Sequence, residues 1–571
     1  MRGVSLPEIA AAAAKRAVVR ARLSAARPLA RASARRTPSQ LLSQPADPFP
    51  GTRDKADAFL RGHYALPGGR IETPEGAVPW DAAAPTPLFA EESHGFSWLR
   101  HFTPPDAPHA HARWLITAWL DRAPAKDDVV WRADVTARRI VSWLTAARAL
   151  LAEADAAWRA QFLGSLIAQL RYLEAIAKLA PVGPQRFVTG VALALGGAVV
   201  PGRARALDLG LRLVAQELDR HILPDGGHAS RNPALVPRML HDLAIVQDTM
   251  AAISKAMPET IYGAITRMAP MLHFFQHGDE RFPLFHGGGE EDQELIRLLV
   301  ARFHPDGHAF GVAPHARFQR LAASGVVILM DTGPPPRGAT STTAHASALA
   351  FEMSVGRERV IVNCGSGAGL GEAWSEALRA TAAHSTLTVA DTSSCHFVSG
   401  ALARPLVGAR IVSGPERVLS RRNEEERGIW LATSHDGYLD AYGLVHERRL
   451  YVNTDGNDVR GEDRLFYAEA VGAEDARDVE PLPFAVRFHL HPDVRASLNR
   501  DGESAVLRLQ SGDGWVFSVA GGALTLEESV YLGTAEPRPT QQIVISGAIV
   551  IEPSIVKWAM KRMRRPGGAP V

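Results

Sequence analysis

Cysteine is nearly missing: the 571 residues hold 2, Cys364 and Cys395. Two thiols allow at most one bridge, so no disulfide framework holds the chain together. Neither sits in a CxxC or related spacing, which excludes a structural zinc built on thiolates. Long apolar runs are missing too. Nowhere do about 18 apolar residues follow one another, so no membrane-spanning helix is expected. An excess of one charge is absent as well: the net is +2, and no global field argues for nucleic acid. There is no phosphate-cradling GxxxxGK[ST] loop, and no dinucleotide fingerprint falls between a strand and a helix. What is present, 46% hydrophobic and 22% charged residues, is the composition of an ordinary soluble globular protein, long enough for more than one domain.

Charge is uneven at the start. Residues 1–40 hold Arg2, Lys15, Arg16, Arg20, Arg22, Arg27, Arg31, Arg35 and Arg36 against Glu8 alone. A secretory leader needs an apolar stretch of roughly 7 to 15 residues before a small-residue cleavage site. The best candidate, Ile9 to Ala14, is mostly alanine and ends at Lys15-Arg16. Residues 1–40 therefore read as a peripheral basic amphipathic helix, suited to an anionic membrane surface or, more blandly, to a solvated arginine-rich cap. With no evident signal peptide and too few cysteines to need an oxidising compartment, a cytoplasmic or peripheral membrane location is expected.

From about 85 to 300 the pattern is helical. Trp114 to Leu120, Ala137 to Leu151 and Trp158 to Leu179 are rich in alanine and leucine and apolar at spacings of three and four. Breaks fall at Pro181, Gly183-Pro184, Pro201-Gly202 and Pro224-Asp225-Gly226-Gly227. Successive antiparallel helix pairs follow, as in a helical solenoid or toroid. From about 316 the texture changes to short strand-like runs such as Val326 to Met330, Arg359 to Val362, Ser385 to Val389, Ser504 to Leu509 and Trp515 to Val519. Turns such as Asp455-Gly456-Asn457-Asp458 separate them, which predicts a large antiparallel sandwich. The expected organisation is α then β: a basic segment 1–40, a helical toroid 41–315, a β-sandwich 316–555, and a basic surface tail 556–571 containing Lys561-Arg562-Met563-Arg564-Arg565.

One stretch carries most of the chemistry. Thr342-Thr343-Ala344-His345-Ala346-Ser347-Ala348-Leu349-Ala350-Phe351-Glu352 sets His345 at the mouth of an alternating apolar run. Asn363-Cys364-Gly365 follows, then Arg379 with Thr381-Ala382-Ala383-His384-Ser385-Thr386. Two histidines, an arginine and several hydroxyls thus fall at the ends of short strands, where sites tend to lie; either histidine alone is equally an ordinary polar strand residue. In the helical half, Asp225-Gly226-Gly227-His228-Ala229-Ser230-Arg231-Asn232-Pro233 reads as a loop leading to His241-Asp242. Arg231 and Asn232 there could engage a sugar carboxylate or hydroxyls, since a guanidinium fork matches a carboxylate; the alternative is a loop with a solvated helix start. Trp131 and Trp143, each near arginines, are candidates for stacking on a sugar and equally for core. His489 and His491 share one strand face, compatible with a metal, as two ligands short of a cage.

Taken in order and spacing, several of these segments resemble the heparinase II/III-like family of polysaccharide lyases over residues 95–535. The marks are Arg138-Arg139-Ile140-Val141-Ser142-Trp143, Ala192-Leu193-Ala194-Leu195-Gly196-Gly197, the Asp225-Gly226-Gly227 loop with Arg231 and Pro233, the His345 stretch, Asn363-Cys364-Gly365, and Arg379 through Thr386. The resemblance implies an N-terminal (α/α) toroid, a C-terminal antiparallel β-sandwich, and a cleft between them that eliminates across a uronic acid of an acidic polysaccharide. Elimination needs a group that neutralises the carboxylate, a base for the α-proton and an acid for the leaving oxygen. The family assigns these to an upstream Asn or His, a Tyr after the Asp-Gly turn, and histidines of the sheet domain.

This chain departs from that set. The upstream positions match Pro184 and Gln185, the tyrosine position matches Leu235, and the His-x-His-x-Asp motif reads Thr343, His345, Ser347. Of three positions that hold a metal in some relatives, His345 and His384 remain and the aspartate is Asn363, leaving a reduced donor set for a divalent metal such as zinc. Two main readings stand. In one the protein is a polysaccharide lyase using His345, His384, Asn232, Arg231 and His228 as its site. In the other it is a noncatalytic acidic-glycan-binding or scaffold protein that kept the lyase fold. A third, hydrolytic or transfer chemistry, has less to carry it.

Overall fold

Alanine- and leucine-rich segments become helices that stack in pairs through the first half of the chain. The computed structural model describes residues 4–33, 38–49, 51–74, 76–122, 129–400, 402–469, 480–534 and 536–563. Helices His109–Arg122, Ala133–Ala152, Ala156–Ile176, Pro184–Val199, Ala204–His221, Leu235–Ala252, Glu259–Phe275 and Gln293–Phe303 follow one another. Their breaks have local causes. Gly183 adopts φ 110°, a conformation open to glycine, and Pro184 then opens the next helix with its fixed φ. Pro184–Val199 and Ala204–His221 lie backbone to backbone: a Cβ on Gly197 would come within 2.0 Å of the Leu207 nitrogen, and one on Gly210 within 2.3 Å of the Ala194 nitrogen. A two-stranded hairpin, His63–Leu66 with Gly69–Glu72, interrupts the helical half. Sequence periodicity did not call for it; Gly68 at φ 91° and Gly69 at φ 144° make its turn.

Trp143 is fully buried and Trp131 is 9% exposed, so both are core rather than sugar platforms. Trp119, Trp143 and Phe96 pack edge to face with centroids 5.5–5.9 Å apart. Arg139 is buried among them, 4.5 Å from the Trp119 ring, and donates to Gln169 Oε1 at 2.6 Å. Burial pushes its guanidinium down to about 9. Arg138 makes a bidentate pair with Asp242 at 2.6 and 3.1 Å. The arginine pair of this helix is thus part of the helical scaffold.

The second half is a two-layer antiparallel sandwich. One eight-stranded sheet runs Val418–Glu425, Gly428–Tyr438, Leu444–Asn453, Asp458–Tyr467, Ser554–Arg562, Gly514–Ala520, Ser504–Arg508, Arg495–Leu498. The other sheet has nine strands, including Val326–Asp331, Phe351–Val355, Glu358–Val362, Leu482–Leu490 and Arg538–Ile549. Period-two alternation turns one side of each strand inward. Across the layers Phe351 stacks on Trp558 at 5.7 Å and Phe488 meets it edge-on at 4.9 Å, while Phe517 of the neighbouring strand stacks on it at 5.9 Å. Trp558 belongs to the last strand among the described residues, so residues 556–562, expected in a basic surface tail, are instead a central strand. Alternation there (Val556, Trp558 and Met560 buried; Lys557 and Lys561 exposed) is the reason. Arg564 and Arg565 lie outside the described residues.

The basic N-terminal segment forms helix Leu6–Ser33. Ile9, Ala12, Val19, Leu23 and Ala26 are its less exposed positions, while Lys15, Arg16, Arg20 and Arg22 are exposed. It docks on helices Ala156–Ile176 and Ala403–Val407, and Arg16 Nη1 donates to the Pro405 carbonyl at 2.7 Å. Arg2, Arg35 and Arg36 lie outside the described residues. No helix among the described residues is long and apolar enough to cross a membrane. Cys364 and Cys395 are free and buried.

Candidate functional site

The Asp-Gly-Gly turn explains how the helical loop meets the sandwich. Asp225 Oδ2 accepts from the backbone nitrogens of His315 and Ala316 at 2.8 and 2.7 Å. Gly226 sits at φ 89°, and a Cβ there would lie 1.8 Å from the Arg267 carbonyl oxygen. The chain then delivers Arg231, itself left-handed at φ 60°, into the junction between the halves. A left-handed non-glycine residue costs roughly 1–2 kcal/mol, so tertiary contacts hold it there.

Those contacts use up the guanidinium. Arg231 Nη2 pairs with Asp331 Oδ1 at 2.5 Å, Nε donates to the Ala316 carbonyl at 2.9 Å and Nη2 to that of Arg317 at 2.8 Å. Nη1 donates to the Gly333 and Pro334 carbonyls at 3.1 and 3.2 Å. Arg231 was expected to face a carboxylate of a ligand; its carboxylate is Asp331 of the protein, and 6% of the residue is exposed. Asp331 also accepts from His286 Nε2 at 2.9 Å and Ser347 Oγ at 2.7 Å. Burial alone would raise this carboxyl; Arg231, His286 and Ser347 overcome it and hold it well below the usual carboxylate range.

His286 continues the run. Its Nδ1 accepts from the backbone nitrogen of His345 at 3.2 Å. The His345 ring lies against His384, Nδ1 to Nε2 at 3.0 Å. His384 Nδ1 is 2.8 Å from the Ala380 carbonyl; a carbonyl only accepts, so Nδ1 carries the proton, Nε2 is the acceptor, and His345 Nδ1 is the donor. The pair is buried, 2% and 0% exposed. Burial pushes His384 down to about 4 and His345 well below its ordinary value, with His384, His286 and Arg379 adding repulsion. Both rings are neutral near pH 7. Arg379 is fixed by the Ala344 and Ser341 carbonyls at 2.7 and 3.0 Å.

Asn232 and Thr343 flank one glycine: a Cβ on Gly287 would lie 3.1 Å from the Thr343 carbonyl oxygen and 3.7 Å from Asn232 Nδ2. Asn232 Oδ1 accepts from the Ala234 nitrogen at 2.9 Å, shaping the start of helix Leu235–Ala252. His228 is set apart from this run. Its Nδ1 bonds Ser230 Oγ at 2.7 Å, its ring stacks on His221 at 5.5 Å, and burial brings it to about 3. His241 pairs with Asp47 at 2.9 Å. Leu235, where the family pattern has tyrosine, begins its helix with no titratable group; Pro184 is exposed. The junction therefore joins Arg231, His345 and His384 through His286 and Asp331, with Asn232 alongside. Sequence reasoning did not single out His286 or Asp331. A signal existed: Asp331 ends the otherwise apolar strand Val326–Asp331, and a carboxylate there needs a buried partner.

The donor set does not suit zinc. Asn363 Oδ1 accepts from the Ser385 nitrogen at 3.0 Å and its Nδ2 donates to Glu352 Oε1 at 2.9 Å, so both ends of this neutral amide are engaged by the protein. No group of three His, Cys, Asp or Glu among the described residues has the arrangement to hold a metal ion. His489, one of the HxH pair, bonds Ser529 Oγ and the Ala382 carbonyl at 2.7 and 2.9 Å, while His491 packs edge-on against Tyr531 at 4.8 Å.

Residues 305–559 match the model of the heparinase II/III-like C-terminal domain. FtsZ-localized protein C of Caulobacter vibrioides (strain NA1000 / CB15N) is 32% identical over 541 residues, covering 92% of this chain and 91% of that protein. Among solved structures, heparinase III superposes with a TM-score of 0.68 at 12% identity, over 91% of this chain and 87% of the other. A mutant of the heparan sulfate lyase HepC from Pedobacter heparinus superposes at 0.58 with 14% identity, over 96% and 89%. These likenesses carry the fold: a helical toroid followed by an antiparallel β-sandwich. With the similarity running along nearly its whole length, the chain belongs to the heparinase II/III-like family, as a divergent member.

Proposed function

We propose that this protein is a noncatalytic member of the family, a scaffold that retains the lyase frame and acts in cell division beside FtsZ. One observation carries the noncatalytic half. The groups an elimination would draw on are committed to the protein: Arg231 to Asp331, His345 and His384 to each other, with leucine at the tyrosine position. A base must be within reach of the proton it abstracts and free to take it, and a buried, mutually bonded histidine pair is poorly placed for either. The division half is supported by the 32% identity to FtsZ-localized protein C along 92% of this chain. A fluorescent fusion expressed in its native host should gather in a midcell band together with FtsZ, and the band should disperse when FtsZ is depleted. A fusion spread evenly through the cell, or a band that outlasts FtsZ, would refute it.

The exposed basic face of helix Leu6–Ser33 supports a peripheral contact with an anionic membrane surface. Lys15, Arg16, Arg20 and Arg22 are exposed, and each cation near such a surface is worth about 1 kcal/mol. The lyase reading, with an acidic polysaccharide as substrate, keeps one supporting observation: both halves still send polar side chains to the same junction, where domain interfaces commonly hold ligands.

A further inference from the structure

The outer face of the eight-stranded sheet carries a cavity of about 300 Å³ lined by Arg421, Arg422, Asn423, Trp430, Ala432 and Arg449. The register explains it. Arg421 pairs with Ala432, and Ala432 with Arg449, so the three side chains lie in one row on one face. The small alanine makes a floor between two guanidiniums. In the adjacent row Asn423 pairs with Trp430, and Trp430 with Tyr451. The indole is 43% exposed and leans on the Tyr451 ring at 4.5 Å, which fixes it as a wall standing beside the trough.

A cross-strand aromatic pair accounts for Trp430 and Tyr451 as sheet stabilisers. It does not account for Arg421, an exposed cation with no ion-pair partner among the described residues. Arg449 is engaged by two carboxylates: Nε and Nη2 meet Glu447 at 2.6 Å, and Nη1 faces Glu462 at 3.7 Å, leaving its Nη edge to the trough. Arg422 is the structural member, tied to Glu424 at 2.7 Å and to the Arg320 carbonyl at 2.9 Å. The trough therefore offers a flat aromatic surface, the carbonyl end of the Asn423 amide, whose Nδ2 donates to Glu425 at 2.7 Å, and guanidiniums on both sides of an alanine.

We propose that this trough is a binding site for a nucleoside phosphate. The base stacks on the Trp430 indole, the Asn423 amide oxygen accepts from a donor on the base edge, and the phosphate lies over Ala432 between Arg421 and Arg449. A phosphate has enough terminal oxygens to take two guanidinium forks from opposite sides, whereas one carboxylate is filled by a single fork. Every base presents a π-face to an aromatic ring. The inference is independent of whether the interdomain junction is catalytic.

The test is calorimetric titration of the full chain with AMP, adenosine, inorganic phosphate and a uronic-acid disaccharide. AMP should bind one site, with adenosine and phosphate roughly tenfold or more weaker, since each keeps half of the contacts. Trp430→Ala and Arg421→Gln should each weaken AMP by about tenfold or more. Ala432→Leu, which fills the floor and leaves both arginines, should do the same. All three positions face outward, and unchanged melting curves would certify the fold. The proposal is overturned if AMP does not bind, if phosphate alone binds as well as AMP, if the disaccharide binds in place of AMP, or if the three variants bind AMP as the wild type does.

Discussion

Asp331 shows what a buried carboxylate demands of its surroundings. Four donors reach it, from Arg231, His286, Ser347 and the Gly333 nitrogen. Removing its charge leaves Arg231 buried and unpaired, so Asp331→Asn should destabilise the protein by about 3–5 kcal/mol in urea denaturation. A double change, Arg231→Met with Asp331→Leu, should lose less than Asp331→Asn alone, because no stranded charge remains. The histidines predict a pH dependence of definite sign. His384 titrates at about 4 and His228 at about 3 in the folded chain, against about 6.5 when unfolded. Below pH 6.5 the unfolded chain takes up protons that these folded rings refuse, so stability falls as pH drops and levels off only below their folded values. Each such ring should remove about 2 kcal/mol at pH 5 relative to pH 8, read as a falling urea midpoint; a midpoint that rose on acidification would contradict the buried, neutral assignment. At this scale the sequence exposed His345 and His384 as a pair worth watching. It hid their partners, because Asp331 lies 100 residues from Arg231 and 45 from His286, and nothing local to either position names the other.

Among the elements, legibility followed periodicity. Long helices with apolar residues at three- and four-residue spacings, and strands bounded by Gly, Asp and Asn turns, fall where their patterns place them. The hairpin His63–Leu66 with Gly69–Glu72 escaped because four-residue strands carry too little alternation to register. Strand Ser554–Arg562 is masked in the sequence by Lys557 and Lys561, which decorate the outer face of a strand whose inner face carries Val556, Trp558 and Met560. The N-terminal helix is amphipathic as expected, yet its apolar stripe is largely turned toward Ala156–Ile176 and Ala403–Val407, leaving the cations outward. The proposed membrane contact is therefore electrostatic. The protein should cosediment with vesicles containing anionic lipid at low salt, release in about 0.5 M salt as screening shortens the Debye length below roughly 5 Å, and lose the interaction when residues 1–33 are removed. Retention at high salt would point to insertion instead.

Across the whole molecule, the two halves are stitched by more than the Arg231 clamp. Arg359 of the sandwich pairs with Asp279 at 2.9 Å and donates to the Phe282 carbonyl at 2.9 Å. Glu352 accepts from the Leu284 nitrogen at 2.9 Å, and Tyr531 bonds Glu290. Fold and function part company here. The toroid and sandwich were readable from element texture and from the family resemblance, whereas the state of the junction depended on which side chains bond one another, which spacing does not encode. The central claim, a lyase frame without lyase chemistry, is tested most directly by incubating the purified protein with heparan-, alginate- and chondroitin-type polymers across a range of pH. Beta-elimination creates an unsaturated uronate that absorbs in the near ultraviolet. The account predicts no rise in that absorbance with any polymer at any pH; a rise with the wild type that His345→Ala abolishes would contradict it.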